Sequence, residues 1–132
     1  MKFKAFIAAV LLALLTTTAQ AEEPRFGQTA FAAEGSSSPQ TSFTPDTPKI
    51  VLHVQLLDVP AGAKVAADWI AVRAAGAPDN FRIDGSTLDA TGEDEAAFSL
   101  GKPDAGWPVG GYRVDLSING KKLQSAEFKV AP

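Results

Sequence analysis

His53 is the one histidine of the sequence. Any Ser-His-acid catalysis must therefore run through it. It stands in Ile50-Val51-Leu52-His53-Val54-Gln55-Leu56, on the side opposite Ile50, Leu52 and Leu56. No G-x-S-x-G nucleophile turn occurs, and the serines cluster near positions 36–42. Imidazole metal sites need more than one such ligand as a rule. His53 therefore reads as a solvent-facing strand residue rather than a general base. The densest charge run is Asp89-Ala90-Thr91-Gly92-Glu93-Asp94-Glu95. Oxygen-rich loops bind Ca2+, and Asp89, Glu93, Asp94 and Glu95 are the residues that would converge on one. The run lacks EF-hand ligand spacing, and the simpler reading is a solvated acidic loop. Paired carboxylates also serve glycosidases, but those need a sugar-sized cleft, which a domain this small rarely has.

Trp107 is a candidate of another kind. It lies in Asp104-Ala105-Gly106-Trp107-Pro108, between turn formers. An exposed indole there would stack on a sugar or anchor a protein partner. Alternatively it closes the open end of the fold beside Tyr112, because an indole has much apolar surface to hide. Phe26, Phe31 and Asn119 are further candidate partner contacts, the first two as a short docking peptide and the third at a hairpin tip.

The elements that must position these residues read as strands. Ile50, Leu52, Val54 and Leu56 are apolar at every second residue, the period of a strand with one face in a core. Lys64 to Arg73 is apolar on both faces, and flanking Gly62 and Gly76-Ala77-Pro78 favour a central strand over a helix. Phe81, Ile83 and Leu88 mark a less regular region, with Asp84-Gly85 as an expected turn inside it. Ala96 to Leu100 is a short strand. Tyr112, Val114, Leu116 and Ile118 alternate up to Asn119-Gly120, the preferred pair for a type I′ hairpin turn, and Ala126, Phe128 and Val130 alternate on the return. No repeat and no sustained helical spacing is present. Turn signals at intervals of roughly ten residues predict an all-β sandwich of about seven short strands.

The N-terminus predicts an address. Lys2 and Lys4 precede an eleven-residue apolar run, Ala5 to Leu15, and Ala19-Gln20-Ala21 has the A-x-A form of a signal peptidase site. The run is shorter than the ~20 residues that span a bilayer. Residues 1–21 thus read as a signal peptide cut after Ala21, with a periplasmic or secreted product. No cysteine follows to carry a lipid, and no second spanning segment follows either. Residues 22–45 read as a flexible low-complexity arm, since 34–42 contain no apolar residue. Residues 46–132 are left as the folded domain.

Composition excludes more than it reveals. The chain of 132 residues has 12 basic and 15 acidic side chains, a net charge of −3. Removing Lys2 and Lys4 leaves 10 basic against 15 acidic, a net −5 for the cleaved chain. That balance argues against nucleic acid, which wants a basic stripe. Zero cysteines exclude disulfides, thiolate metal sites and thiol nucleophiles. No cofactor is implied.

Trp107-Pro108-Val109-Gly110-Gly111-Tyr112-Arg113-Val114 resembles the E–F corner and F strand of immunoglobulin-like and fibronectin type III-like domains. The resemblance covers about residues 46–132. It implies an immunoglobulin-like antiparallel β-sandwich in which the Tyr112 hydroxyl bonds back to the corner backbone, Trp69 is the buried core plug and Asn119-Gly120 turns the F–G hairpin. The chain departs from true immunoglobulin domains in lacking the B–F cysteine pair. Small bacterial exported sandwich domains are the nearest kind. The expected role is a non-catalytic binding or interaction module whose partner is another envelope protein, with a small-ligand or Ca2+-binding periplasmic protein as the alternative and a hydrolase the weakest reading. Fold likeness by itself carries no function.

Overall fold

A computed structural model describes residues 23–132. The expected signal peptide and its cut after Ala21 lie outside the described residues. Eight strands follow one another with no helix among the described residues: β1 (Arg25–Ala33), β2 (Ser42–Phe43), β3 (Lys49–Leu57), β4 (Lys64–Ala74), β5 (Phe81–Asp89), β6 (Glu95–Gly101), β7 (Gly110–Ile118) and β8 (Lys121–Val130). They form a three-stranded sheet, β1-β3-β6, and a five-stranded sheet, β2-β8-β7-β4-β5. Every pairing is antiparallel except that of the two-residue β2 with β8. The chain thus forms the all-β sandwich that its alternation and turn spacing predict, of the immunoglobulin-like kind that the resemblance of the Trp107–Val114 segment implies.

Period-two alternation decides which side chains meet between the sheets. β3 turns Ile50, Leu52, Val54 and Leu56 inward, and β7 opposes them with Tyr112, Val114, Leu116 and Ile118. Phe128 on β8 is the aromatic hub. Its ring lies 4.9 Å from Phe31, 5.8 Å from Phe43, 6.0 Å from Trp69, 6.2 Å from Trp107 and 5.0 Å from Tyr112, centre to centre. Most of these are edge-on or tilted contacts, which aromatic quadrupoles favour; Tyr112 instead stacks on Phe128 at an interplanar angle of 7°. This cluster ties both sheets together in a chain that has no cysteine.

Two sequence expectations need correction. The arm expected over 22–45 is shorter than that. Arg25–Ala33 is a full edge strand on β3, and Phe43 is buried beside β8. The reason is a bulge between Phe26 and Thr29, which places one extra residue in β1 opposite Gln55. An extra residue reverses the phase of a strand, so Phe26 and Phe31, five apart, both point into the core. Residues 34–41 between the strands carry no regular structure and are exposed.

The Asp84-Gly85 turn expected within 81–88 does not form either. β5 continues through these residues, with a bulge at Ile83 and Gly85 paired to Asp68. The Asp68 carboxylate is bound by Arg82 at 2.9 Å, and a Cβ at Gly85 would collide with both of those side chains. Glycine stands there to let an ion pair cross the strand. The outer face of the large sheet continues this charge pattern. Asp115 lies directly opposite Asp68, and each like-charged partner has its own cation, Arg82 for one and Arg113 with Lys122 for the other.

Candidate functional site

The sequence offers Trp107 as an anchor for a sugar or a partner, and its position corrects this. It is 2% exposed. Its indole N–H donates to the Thr47 carbonyl at 2.9 Å, and its backbone N–H donates to the Pro45 carbonyl at 2.9 Å. The segment between β2 and β3 is therefore laid over the indole. An aromatic side chain with its polar handle satisfied and so little of its surface exposed cannot reach out as an anchor. Phe26, 6% exposed, and Phe31, 3% exposed, are likewise core residues and not a docking peptide. Asn119 stays exposed, at a φ of 51°, but its Oδ1 accepts the Lys64 N–H at 2.9 Å, and its own N–H donates to the Lys64 carbonyl. The side-chain oxygen and the backbone N–H of Asn119 thus both bond internally, and together they fasten the β7–β8 turn to the start of β4.

Trp69 is buried between β4 and the aromatic hub, with its ring 6.4 Å from Phe31. The Tyr112 hydroxyl donates to the Pro108 carbonyl, four residues back, and closes the corner that leads into β7. Burial pushes the Tyr112 phenol above its ordinary value, which keeps it a hydrogen-bond donor. Gly110 makes this corner possible. Its φ is 152°, and a Cβ there would stand 2.6 Å from the Ala74 Cα and collide with the Arg73 carbonyl.

The acidic residues do not assemble. Asp89 ends β5 and pairs with Lys64. Glu95 begins β6, on the other sheet, and Glu93 and Asp94 lie in the exposed connection between them. Among the described residues no three His, Asp or Glu side chains gather as metal ligands would. The expected Ca2+ site over Asp89, Glu93, Asp94 and Glu95 is thereby corrected. His53 is exposed on the outer face of the small sheet, in a polar depression of about 400 Å3 that it shares with Gln28, Gln55 and Glu95.

One other surface has chemistry of its own. At the end of the sandwich, beside the β4–β5 and β6–β7 connections, a cleft of about 160 Å3 is lined by Ala74, Ala77, Phe81, Ile83, Pro103 and Pro108. The buried Trp107 and Tyr112 form its back wall, and it presents no polar surface. Phe81 stands at its rim 48% exposed, the most exposed large apolar side chain of the described residues. Val109, 42% exposed, follows Pro108 on the same connection. Sequence reasoning passed over Phe81 by treating it as one more strand residue. Its place at the first position of an edge strand, next to Asn80 at a φ of 56°, is what leaves it outside.

Comparison with known proteins agrees at the level of fold. The chain is similar to an immunoglobulin-like protein from Pseudomonas aeruginosa, with a TM-score of 0.57 and 16% identity over 83% of this chain and 98% of that one. It is also similar to part of the Pseudomonas fluorescens alkylpurine DNA glycosylase AlkC, with a TM-score of 0.52 and 18% identity over 83% of this chain and 31% of the glycosylase. At these identities the likeness defines the class, an immunoglobulin-like β-sandwich, and nothing finer. No known family matches the sequence, and no curated protein matches it. Among the described residues no helix is long and apolar enough to cross a membrane.

Proposed function

We propose that the protein is an exported, non-catalytic interaction module of the bacterial envelope. It is cut after Ala21, acts in the periplasm or outside the cell, and holds another envelope protein by an apolar side chain seated in the Phe81 cleft. The N-terminal cationic start, apolar run and A-x-A site support export. The observation that carries the binding reading is the cleft itself, a carbon-lined slot with a half-exposed phenylalanine at its rim. Small apolar pockets flanked by an aromatic are where partner side chains anchor. Covering the exposed half of Phe81 removes roughly 100 Å2 of apolar surface from water, about 2 kcal/mol at the usual coefficient. Rigid walls mean that little of this is lost to reordering on binding.

Two measurements test the reading in sequence. N-terminal sequencing of the protein from the envelope fraction must begin at Glu22. Retention of partners from that fraction must then drop at least tenfold with Phe81→Asp, while the melting temperature holds within a few degrees. A cytoplasmic, uncut product would refute export. Unchanged retention by the folded variant would refute the cleft.

A further inference from the structure

A β-sandwich has four sheet edges, and natural proteins guard such edges against pairing with other strands. Three of the four are guarded here. β2 is two residues long and covers only Lys129 and Val130 of β8; the stretch of β8 it leaves open carries Lys121, Lys122 and Glu127. β5 carries Arg82, Asp84 and Asp89, and Ile83 is an extra, unpaired residue that bends it. β1 is broken by its bulge, and two of its carbonyls are taken, Gly27 by Gln124 Nε2 and Phe31 by the Gln40 N–H. β6 differs from all of these. Its register with β3 is unbroken from Gln55↔Glu95 to Lys49↔Gly101. It contains no proline, and its sole charge, Glu95, is at one end. Among the described residues no strand pairs with its other side.

The ladder fixes which groups of β6 are free. The Leu56 N–H donates to the Asp94 carbonyl and the Lys102 N–H to the Pro48 carbonyl. In an antiparallel pair such bonded residues alternate, so Asp94, Ala96, Phe98, Leu100 and Lys102 turn their backbone groups toward β3. Glu95, Ala97, Ser99 and Gly101 turn theirs outward. The side chains of Glu95, Ala97 and Ser99 lie on the exposed face, and Gly101 has none.

We propose that β6 is a dimerisation edge, and that its occupant is β6 of a second copy of this chain. Placed antiparallel about a two-fold axis through Phe98, each outward residue meets an outward residue of the other copy. Glu95 falls opposite Gly101, and Ala97 opposite Ser99. No like charges face one another, and the small side chains at all four positions but Glu95 leave room for close approach. The two small sheets then run on as one, which removes the unguarded edge by closed isologous symmetry rather than by a chain of open contacts. This edge is separate from the Phe81 cleft, and either can hold without the other. The contact is mostly backbone, so the pairing is in the range of weak, small interfaces.

The test is the solution mass of the protein as purified, measured by sedimentation from about 1 µM to 1 mM. The mass should move from one chain to two over that range. Ala97→Pro removes an N–H that points outward, so the β3–β6 ladder survives, and it should raise the dimer dissociation constant at least tenfold. Ala97→Lys, which sets a charged stem into the shared edge, should do the same. Thr87→Lys on β5 should leave the mass unchanged. Because the chain has no cysteine, the double variant Ala97→Cys, Ser99→Cys should give an oxidised dimer that melts as a single species. A mass of one chain at every concentration overturns the proposal. So does a dimer that persists in both Ala97 variants with unchanged affinity.

Discussion

Replacing Trp107 by phenylalanine separates a structural tryptophan from a binding one. The change removes the indole N–H, and with it the bond to the Thr47 carbonyl. That carbonyl lies in a buried residue, and leaving a buried acceptor unmet costs about 1–3 kcal/mol. The smaller ring forfeits roughly another 1 kcal/mol of buried apolar area. The edge contacts to Tyr112 and Phe128, at 5.9 and 6.2 Å, are loosened as well. Together the loss comes to about 2–4 kcal/mol. For a domain of this size each kcal/mol moves the melting point by about 4–8 °C, so a fall of about 8 °C or more is expected. Calorimetry together with urea unfolding provides the assay, and an unchanged urea slope would show that the same surface is still exposed on unfolding. A loss under about 0.5 kcal/mol would refute the reasoning, because no buried, hydrogen-bonded indole can be trimmed so cheaply.

Other perturbations probe the remaining joints. Tyr112→Phe deletes the corner bond to Pro108 while keeping the stacked ring, and should lower stability by about 1 kcal/mol in urea titration. Gly110→Ala drives a methyl into the backbone of β4 and should cost more than about 2 kcal/mol, read as a lower melting temperature. Asp115 gives a pH signature. Burial pushes its carboxyl up, but hydrogen bonds from Ser125, Arg113 and Lys122, with the Arg113 charge, outweigh that and hold it below its ordinary value. Its stabilisation is therefore complete above the unfolded carboxylate pKa of about 3.9 and is lost as pH falls through the lower folded value. Asp115→Asn should be about 1 kcal/mol less stable than the parent at pH 6, with the gap closing as the pH falls through the lowered folded value. A gap that stays constant across that range would show that the charge is not what matters.

How much of this was legible in the sequence depends on whether local pattern or distant contact decides the residue. β3, β7 and β8 announce themselves by strict alternation, and Asn119-Gly120 sets the turn of the β7–β8 hairpin, whose register then shifts by the extra residue Leu123, which no local pattern signals. β1 was hidden by its bulge, since Phe26 and Phe31 share a face only after the phase reverses. Gly85 looked like a turn because glycine usually signals one. Its reason is the Arg82–Asp68 pair, whose members are 14 residues apart. Trp107 was ambiguous for the same cause. Its fate rests on Pro45 and Thr47, about 60 residues away, whose carbonyls meet it only in the folded chain. The acidic run was legible as charge but not as geometry, because β5 and β6 belong to different sheets. Phe81 carried no signal by itself, since a phenylalanine opening a strand reads as core until the cleft beside it is seen.

The proposed contact with another envelope protein lies at the Phe81 cleft, with Trp107 and Tyr112 as its back wall rather than as protruding anchors. Site-specific photocrosslinking in living cells tests it most directly, with the reactive side chain placed at position 81 in one strain and at position 53, on the exposed face of the small sheet, in another. Adducts to a defined envelope protein from position 81, and none from position 53, are the predicted result. Equal adducts from both positions, or none from 81, would contradict the account.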